Sequence, residues 1–336
     1  MAVLPRAVNL RQAGFAMKYS VAPLEGITDH IYRSIHMRFF PGADRYYTPF
    51  LSPTQNHFFT PREQRAVYPV HNPGQPLVPQ LLTKNAEDFL WAAGALAELG
   101  YEEVNLNLGC PSRTVTAKGK GSGLLLDPIA LDALLEQIFA KAPLRISVKT
   151  RIGYHDEAEF ASLLELLNRY PLSELIVHPR TTRQLYAGSI SESALSLALA
   201  QSRAPVCCNP SLSTAAECAA FAAAHPSAKA LMLGRGLIAD PALIRKCKGG
   251  APAVREELLA FHTALSDAYQ QAFGGVHNTL PRMKEIWRYQ IHLFAGSEKH
   301  ARRIAKAMRW PEFVSAVEAV FHELPVLPDA AGLQLR

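Results

Sequence analysis

The sequence predicts a parallel (β/α)8 barrel, an α/β fold, followed by a small all-helical C-terminal domain. Three observations carry this expectation. Eight short runs rich in β-branched and aromatic residues recur over roughly 230 residues; amphipathic helical segments separate most of them; and beyond "KGGAP" at 248–252 the pattern is helical throughout. A doubly wound open sheet is the alternative, and the repeat count favours the barrel.

The predicted strands are 19–23 "YSVAP", 45–50 "RYYTPF", 77–82 "LVPQLL", 103–107 "EVNLN", 145–150 "RISVKT", 174–178 "ELIVH", 204–208 "APVCC" and 229–233 "KALML". A helix is expected over 85–99, with Asn85 as N-cap and Gly100 as stop. Others are expected over 127–141, opened by Asp127-Pro128, over 156–169, and over 213–224, opened by Ser213 and Thr214. The proline-rich stretch 51–76 reads as an irregular excursion. In the last part, Val254, Leu258, Phe261, Leu265 and Tyr269 step by four, three, four and four, one face of a helix. The expected division is an N-terminal extension, 1–17, a catalytic barrel, 18–248, and a helical domain, 252–330.

Composition narrows the function. With 49% hydrophobic and 19% charged residues, the chain is a folded protein and not a disordered one. No run is long enough to span a membrane, and the first twenty residues do not read as a signal peptide. Five cysteines, none in a C-x-x-C pair, argue against a disulfide framework and for the cytoplasm. His and Cys do not cluster at metal-ligand spacing, so no metal is expected. Residues 281–310 hold Arg282, Lys284, Arg288, Lys299, Arg302, Arg303, Lys306 and Arg309 against only Glu285 and Glu298, which equals the whole net charge of +6. Lys284, Arg288 and His292 are expected on one helix face, and Arg302, Lys306 and Arg309 on another. A merely solvated face normally mixes signs, so this window suggests an anionic partner.

In a (β/α)8 barrel the chemistry gathers where strands end. Those ends carry Pro23-Leu24-Glu25-Gly26, Gln80, Asn105 and Asn107 with Cys110 beyond, Lys149 and Arg151, His178-Pro179-Arg180, Asn209, and Gly234-Arg235-Gly236. Each alone has a bland reading as a surface or loop residue. Together they form a polar ring suited to a flat, phosphorylated ligand. The last, where a strand runs into Gly-Arg-Gly and a helix, suits a phosphate.

These motifs together resemble the tRNA-dihydrouridine synthases, flavin enzymes of the FMN-binding barrel type. The matching pieces, in order, are "APLEGITD" at 22–29, "QLL" at 80–82, "NLNLGCPS" at 105–112, "GSGLLLDP" at 121–128, "VKTRIG" at 148–153, "VHPRT" at 177–181, "YAG" at 186–188 and "MLGRGLIADP" at 232–241. The resemblance implies reduction of the C5–C6 double bond of uridine in tRNA. NADPH would reduce FMN, the flavin would pass a hydride to C6, and Cys110 would protonate C5. An ordinary thiol, with pKa near about 8.5, keeps its proton at neutral pH and suits that acid role.

By the same resemblance Pro23, Leu24 and Glu25 would line the flavin ring and Gln80 would bond its polar edge. Lys149 would stand beside N1 and O2, and His178 by the ribityl side. Asn209, Ser211, Gly234 and Arg235 would hold the phosphate. Asn107 and Arg151 would meet the substrate uridine and its phosphate, with Arg180 and Tyr186 completing that wall. Lys118 and Lys120, in a glycine-rich loop expected to move when RNA arrives, and Arg282, Lys284, Arg288, Arg302, Lys306 and Arg309 would grip the tRNA. Residues 209–211 depart from the family pattern: Pro210 stands where glycine is usual and has no N–H to give. The rival readings are an FMN-barrel reductase of a free pyrimidine or enone, a Schiff-base aldolase using Lys149, and a tRNA-binding protein without catalysis. A monomer is expected.

Overall fold

The structure is a computed structural model that describes residues 17–330; apart from Met17, the expected N-terminal extension lies outside the described residues. Nine strands form one sheet: β1 Lys18–Val21, β2 Arg45–Tyr47, β3 Leu77–Val78, β4 Gln80–Leu81, β5 Glu103–Leu108, β6 Arg145–Arg151, β7 Leu175–His178, β8 Val206–Cys208 and β9 Ala230–Leu233. Every pairing is parallel, in the order β3-β2-β1-β9-β8-β7-β6-β5-β4. β3 and β4 are two halves of one predicted strand, split at Pro79. Proline has no N–H for the ladder, but the Pro79 carbonyl still accepts the Asn105 N–H at 2.8 Å. β3 pairs with β2 and β4 with β5, so this broken strand closes the barrel.

The pleat sorts the side chains. Val104, Leu106 and Leu108 of β5, Ile146 and Val148 of β6, and Leu175 and Val177 of β7 join the core beneath the outer helices. Alternate positions face inward, where Ala22, Tyr47, Val78, Ile176, Cys207, Ala230 and Met232 pack together. Arg45 bonds Glu103 at 3.1 Å, and Tyr47 donates to Glu174 at 2.7 Å. These polar pairs occupy the strand starts, so the opposite, C-terminal ends are left for chemistry.

The helices follow: α1 His30–Phe39, α2 Pro61–Val67, α3 Ala86–Glu98, α4 Arg113–Thr116, α5 Pro128–Lys141, α6 Glu159–Leu167, α7 Glu192–Gln201, α8 Ala215–Ala224, α9 Arg235–Ala239 and α10 Leu243–Cys247, then α11 Arg255–Phe273, α12 Val276–Gln290, α13 Glu298–Lys306 and α14 Trp310–Glu323. Expected caps are in place: the Asn85 side chain accepts the Glu87 and Asp88 N–H groups, and Asp127 accepts that of Ala130. The excursion 51–76 is not wholly irregular. It contains α2, opened by a capping box of Thr60 and Glu63, a Thr-x-x-Glu signature present in the sequence.

Leu258, Phe261, Leu265 and Tyr269 of α11 are buried as their spacing predicts, whereas Val254 stands exposed as the helix N-cap. The core of α11–α14 continues through Ile31, Tyr32 and Ile35 of α1 and Ile238 of α9. Trp287 lies at its centre, its Nε1–H bonded to His262 at 3.0 Å; burying a side chain of this class contributes about 3 kcal/mol. Asp29, the N-cap of α1, also accepts the Tyr269 hydroxyl at 2.9 Å. The helical region is thus seated on the strand-end face beside the first loop, and α12 crosses the barrel mouth.

Candidate active site

A cavity of about 370 Å³ opens at the C-terminal end of the barrel. Pro23, Leu24, Glu25, Gln80, Asn107, Cys110, Lys149, Arg151, His178, Tyr186, Asn209, Ser211, Gly234 and Arg235 all line it. Residues spread over more than 200 positions of sequence therefore meet in one place, because parallel pairing brings every strand end to the same face.

The Cys110 turn is built from the inside. Asn107 Oδ1 accepts the Gly109 and Cys110 N–H groups at 3.0 and 2.9 Å. Its Nδ2 donates to Gln80 Oε1 at 2.7 Å; Gln80 donates to Asn105 at 2.8 Å, and Asn105 to Ser147 at 3.0 Å. The chain of amides fixes each orientation in turn. Asn107, expected to meet substrate, thus commits its oxygen to the turn that presents the thiol and one N–H to Gln80; Asn107 and Gln80 each keep a second N–H, and both line the cavity.

On the other side of the turn, the Ser122 hydroxyl and N–H both donate to the Cys110 carbonyl, at 2.9 and 3.1 Å. The loop expected to be a mobile flap is α4 and a 3-10 turn over Gly121–Leu126, whose residues 121–125 are buried. Gly121 has φ of 58°, and a Cβ there would stand 2.9 Å from the Cys110 carbonyl oxygen. Its glycine serves close approach. Lys118 is exposed and Lys120 half-buried, and both lie outside the cavity lining.

Burial pushes the Cys110 thiol up, with Glu25 adding to it; the Ser112 N–H, Arg151 and Lys149 oppose that and do not win. The thiol is therefore protonated at neutral pH. Lys149 faces the same space. Burial first, and Arg151 second, bring its ammonium down to about 8, and no acceptor among the described residues bonds its Nζ. Burial also pushes His178 well below its ordinary range, helped by Arg151, Lys149, Arg180 and Arg235, so the imidazole is neutral. Arg180 Nη1 lies 3.4 Å from His178 Nε2. A guanidinium only donates, so Nε2 accepts and the proton sits on Nδ1.

Arg180 stands just behind the lining, donating to Ser211 Oγ at 2.7 Å and to the Gly188 carbonyl. Asn209 donates to the Met232 carbonyl at 2.8 Å, joining β8 to β9. At Gly236 a Cβ would fall 2.1 Å from the Leu212 carbonyl oxygen, so the two loops approach too closely for any side chain. The Arg151 and Arg235 guanidinium carbons lie 5.3 and 4.3 Å from the Tyr186 ring centre. Pro49, Phe50, Glu285 and Tyr289 also line the cavity and were not anticipated. Glu285 and Tyr289 are an i, i+4 pair on α12; their spacing was legible, but not that this helix crosses the barrel mouth.

The remaining basic residues lie outside this cavity. Arg288, Arg302 and Lys306 are exposed, and Arg288 and Arg302 face a groove between α12 and α13 together with Lys284 and His292. Lys284 also donates to the Ala307 carbonyl at 2.8 Å. Arg282 is 3.8 Å from Asp29 and lies over Tyr269. Arg309 does not share the face of Arg302 and Lys306: it is the N-cap of α14 and pairs with Glu312 at 2.6 Å. Among the described residues, no group of His, Cys, Asp and Glu is arranged to hold a metal, and no helix is long and apolar enough to cross a membrane.

Comparison with known proteins agrees with this geometry. Residues 20–325 match the family model described as dihydrouridine synthase. A probable tRNA-dihydrouridine synthase 1 of Synechocystis sp. is 28% identical over 70% of this chain and 68% of its own. The tRNA-dihydrouridine synthase B of Pasteurella multocida is 23% identical over 86% and 82%. Among solved structures, an old yellow enzyme homologue from Zymomonas mobilis superposes with a TM-score of 0.52 at 15% identity, covering 70% of this chain and 90% of that one, a likeness of barrel fold. With its cysteine turn, cation-lined cavity and a family match over nearly all its described length, this chain belongs to the dihydrouridine synthase family, flavin-dependent enzymes that reduce uridine in tRNA.

Proposed function

We propose that the chain converts a uridine of tRNA to 5,6-dihydrouridine with FMN held in the barrel-mouth cavity, NADPH as reductant and Cys110 as proton donor. The observation that carries this reading is the Cys110 turn, built by Asn107 and Ser122 at the edge of a cavity lined by Lys149, Arg151 and Arg235, with burial holding the proton on the thiol.

The donor set suits FMN. Lys149 has no acceptor among the described residues, and Arg180 and Arg235 stand near the Asn209–Ser211 and Gly234–Gly236 loops. Crowded cations of this kind call for an anionic ligand. Pro23 and Leu24 offer a flat apolar wall, and Gln80 an N–H for a ring edge. Pro210 removes one N–H, and Asn209, Ser211, Gly234 and Arg235 remain to hold the phosphate. When bound and reduced, the flavin supplies the hydride for C6 of the uridine.

The chain's own residues do the rest. Lys149 compensates negative charge on the ring side of the cavity. His178, neutral, offers its Nδ1–H. Cys110 Sγ gives its proton to C5, so the double bond gains one hydride and one proton. The target base has to leave the RNA stack to reach this depth. Tyr186 forms the wall that receives it, with Arg180 supporting from behind the lining, and Arg288, Arg302 and Lys306, with Lys118 and Lys120, hold the RNA backbone by charge. The chain acts in the cytoplasm as a monomer.

Cys110→Ala tests the reading. The variant is expected to retain flavin and tRNA binding while losing most dihydrouridine formation, measured by mass spectrometry of digested tRNA. Unchanged turnover would remove Cys110 as the acid. Equal reduction of free uridine or a simple enone by the wild type, without tRNA, would favour the small-molecule reductase instead.

A further inference from the structure

Arg151 ends β6 with 1% of its surface exposed; its Nε and Nη1 are directed to main chain, while the side chain also borders the cavity beside Tyr186. Nε donates to the Gly109 carbonyl at 3.0 Å; Nη1 donates to the Thr181 and Leu185 carbonyls at 2.8 and 2.7 Å. The first carbonyl belongs to the turn that carries Cys110. The other two belong to the loop that carries Tyr186. Leu185 has φ of 52°, the left-handed region that leucine disfavours. The hydrogen bond to its carbonyl holds it there, and the next residue is Tyr186, over whose ring Arg151 and Arg235 both lie. The two loops are about seventy residues apart in sequence, with Arg151 between them, and this one planar fork bridges them.

We propose that Arg151 is a positioning residue that locks the proton-donor turn to the Tyr186 loop, so that donor and receiving wall address the same base, and that it is not a ligand of tRNA phosphate. The inference rests on the reading of Cys110 as proton donor. Buried guanidinium suits the task because its N–H groups have fixed directions; an ammonium is a point charge on a flexible stem and cannot reach three diverging carbonyls.

The test uses Arg151→Gln, Arg151→Lys, and Arg151→Gln combined with Leu185→Gly, in the flavin-loaded enzyme. Three quantities are measured: the single-turnover rate at saturating tRNA, the tRNA Kd as a function of salt, and trypsin cleavage after Arg183, which is exposed in the same loop. Both single variants are expected to lose about 10²-fold in rate, as misplaced reacting groups do. The tRNA Kd and its salt slope should not change, and cleavage after Arg183 should accelerate. Adding glycine at 185, which adopts positive φ unaided, should recover part of the rate. The proposal is overturned if Arg151→Lys is fully active, if loop cleavage is unaltered, or if the main effect is a weaker Kd with a salt slope lowered by about 1. A wild type that forms no dihydrouridine would defeat the reading of Cys110, while the cleavage measurement would still decide the lock.

Discussion

Replacing Lys149 with methionine is expected to stabilise the flavin-free protein while abolishing its activity. The ammonium lies in the cavity without an acceptor among the described residues, and burial with Arg151 nearby brings it from its ordinary 10.5 to about 8. Its folded value lies below its unfolded one, so between about pH 8 and 10.5 the unfolded chain binds more protons. Stability therefore rises with pH through that window, and the full penalty is felt below it. The difference corresponds to about 3 kcal/mol, reduced to about 2 kcal/mol by water at the cavity mouth. Methionine fills similar space without charge. Urea unfolding of the stripped protein should thus show Lys149→Met about 2 kcal/mol more stable than wild type near neutrality. The advantage should shrink as pH rises past about 8, because the wild type then loses its burden. A variant less stable than wild type at neutral pH, or one whose stability changes with pH in parallel with it, would refute a buried, unpaired cation. Such a trade of stability for function is common where a site is built for a charged ligand.

The other predictions concern separate parts of the molecule. Alkylation of Cys110 by iodoacetamide should be slow near neutrality and climb only above the ordinary thiol range, since burial holds the proton on; a rate already at plateau near about pH 7 would indicate a thiolate and contradict the acid role. Gly236→Ala places a Cβ 2.1 Å from the Leu212 carbonyl oxygen and 2.8 Å from Ser213 Cα, so the Asn209–Ser213 loop must move. A stability loss of about 3 kcal/mol and poor flavin retention are expected, read by thermal melting and by absorbance of the purified protein. Arg302→Ala with Lys306→Ala should weaken tRNA binding and lower the salt slope by about 2; an unaltered slope would place the RNA elsewhere. Arg309, paired with Glu312, should contribute less than either.

Much of this was legible in the chain because the relevant physics is local. Alternation of apolar residues marked the strands, and Asn85 and Asp127 marked helix starts; a barrel built of parallel strands then had to bring the strand ends together. Other features depended on partners distant in sequence. A run of polar strand-end residues cannot reveal which amide bonds which, so nothing local showed that the Asn107 side chain also holds the Cys110 turn. The glycines near 121 read as mobility, because their other use, close approach to the Cys110 carbonyl, exists only once the turn is folded. Arg302, Lys306 and Arg309, at helical spacing, read as one face, because nothing local showed that α13 stops at Lys306 and leaves Arg309 to cap α14.

The sequence by itself determined the barrel and the cation-rich strand ends, since these follow from residue type and period, and its motifs carried the resemblance to the family and pointed to Cys110. The tertiary structure alone decided that Arg151 serves two loops at once, that Lys149 is a cation with no acceptor among the described residues, and that Glu285 and Tyr289 reach the cavity. Hydrogen-bond direction, burial and the seating of α12 arise from contacts between segments far apart in the chain, and no local pattern encodes them.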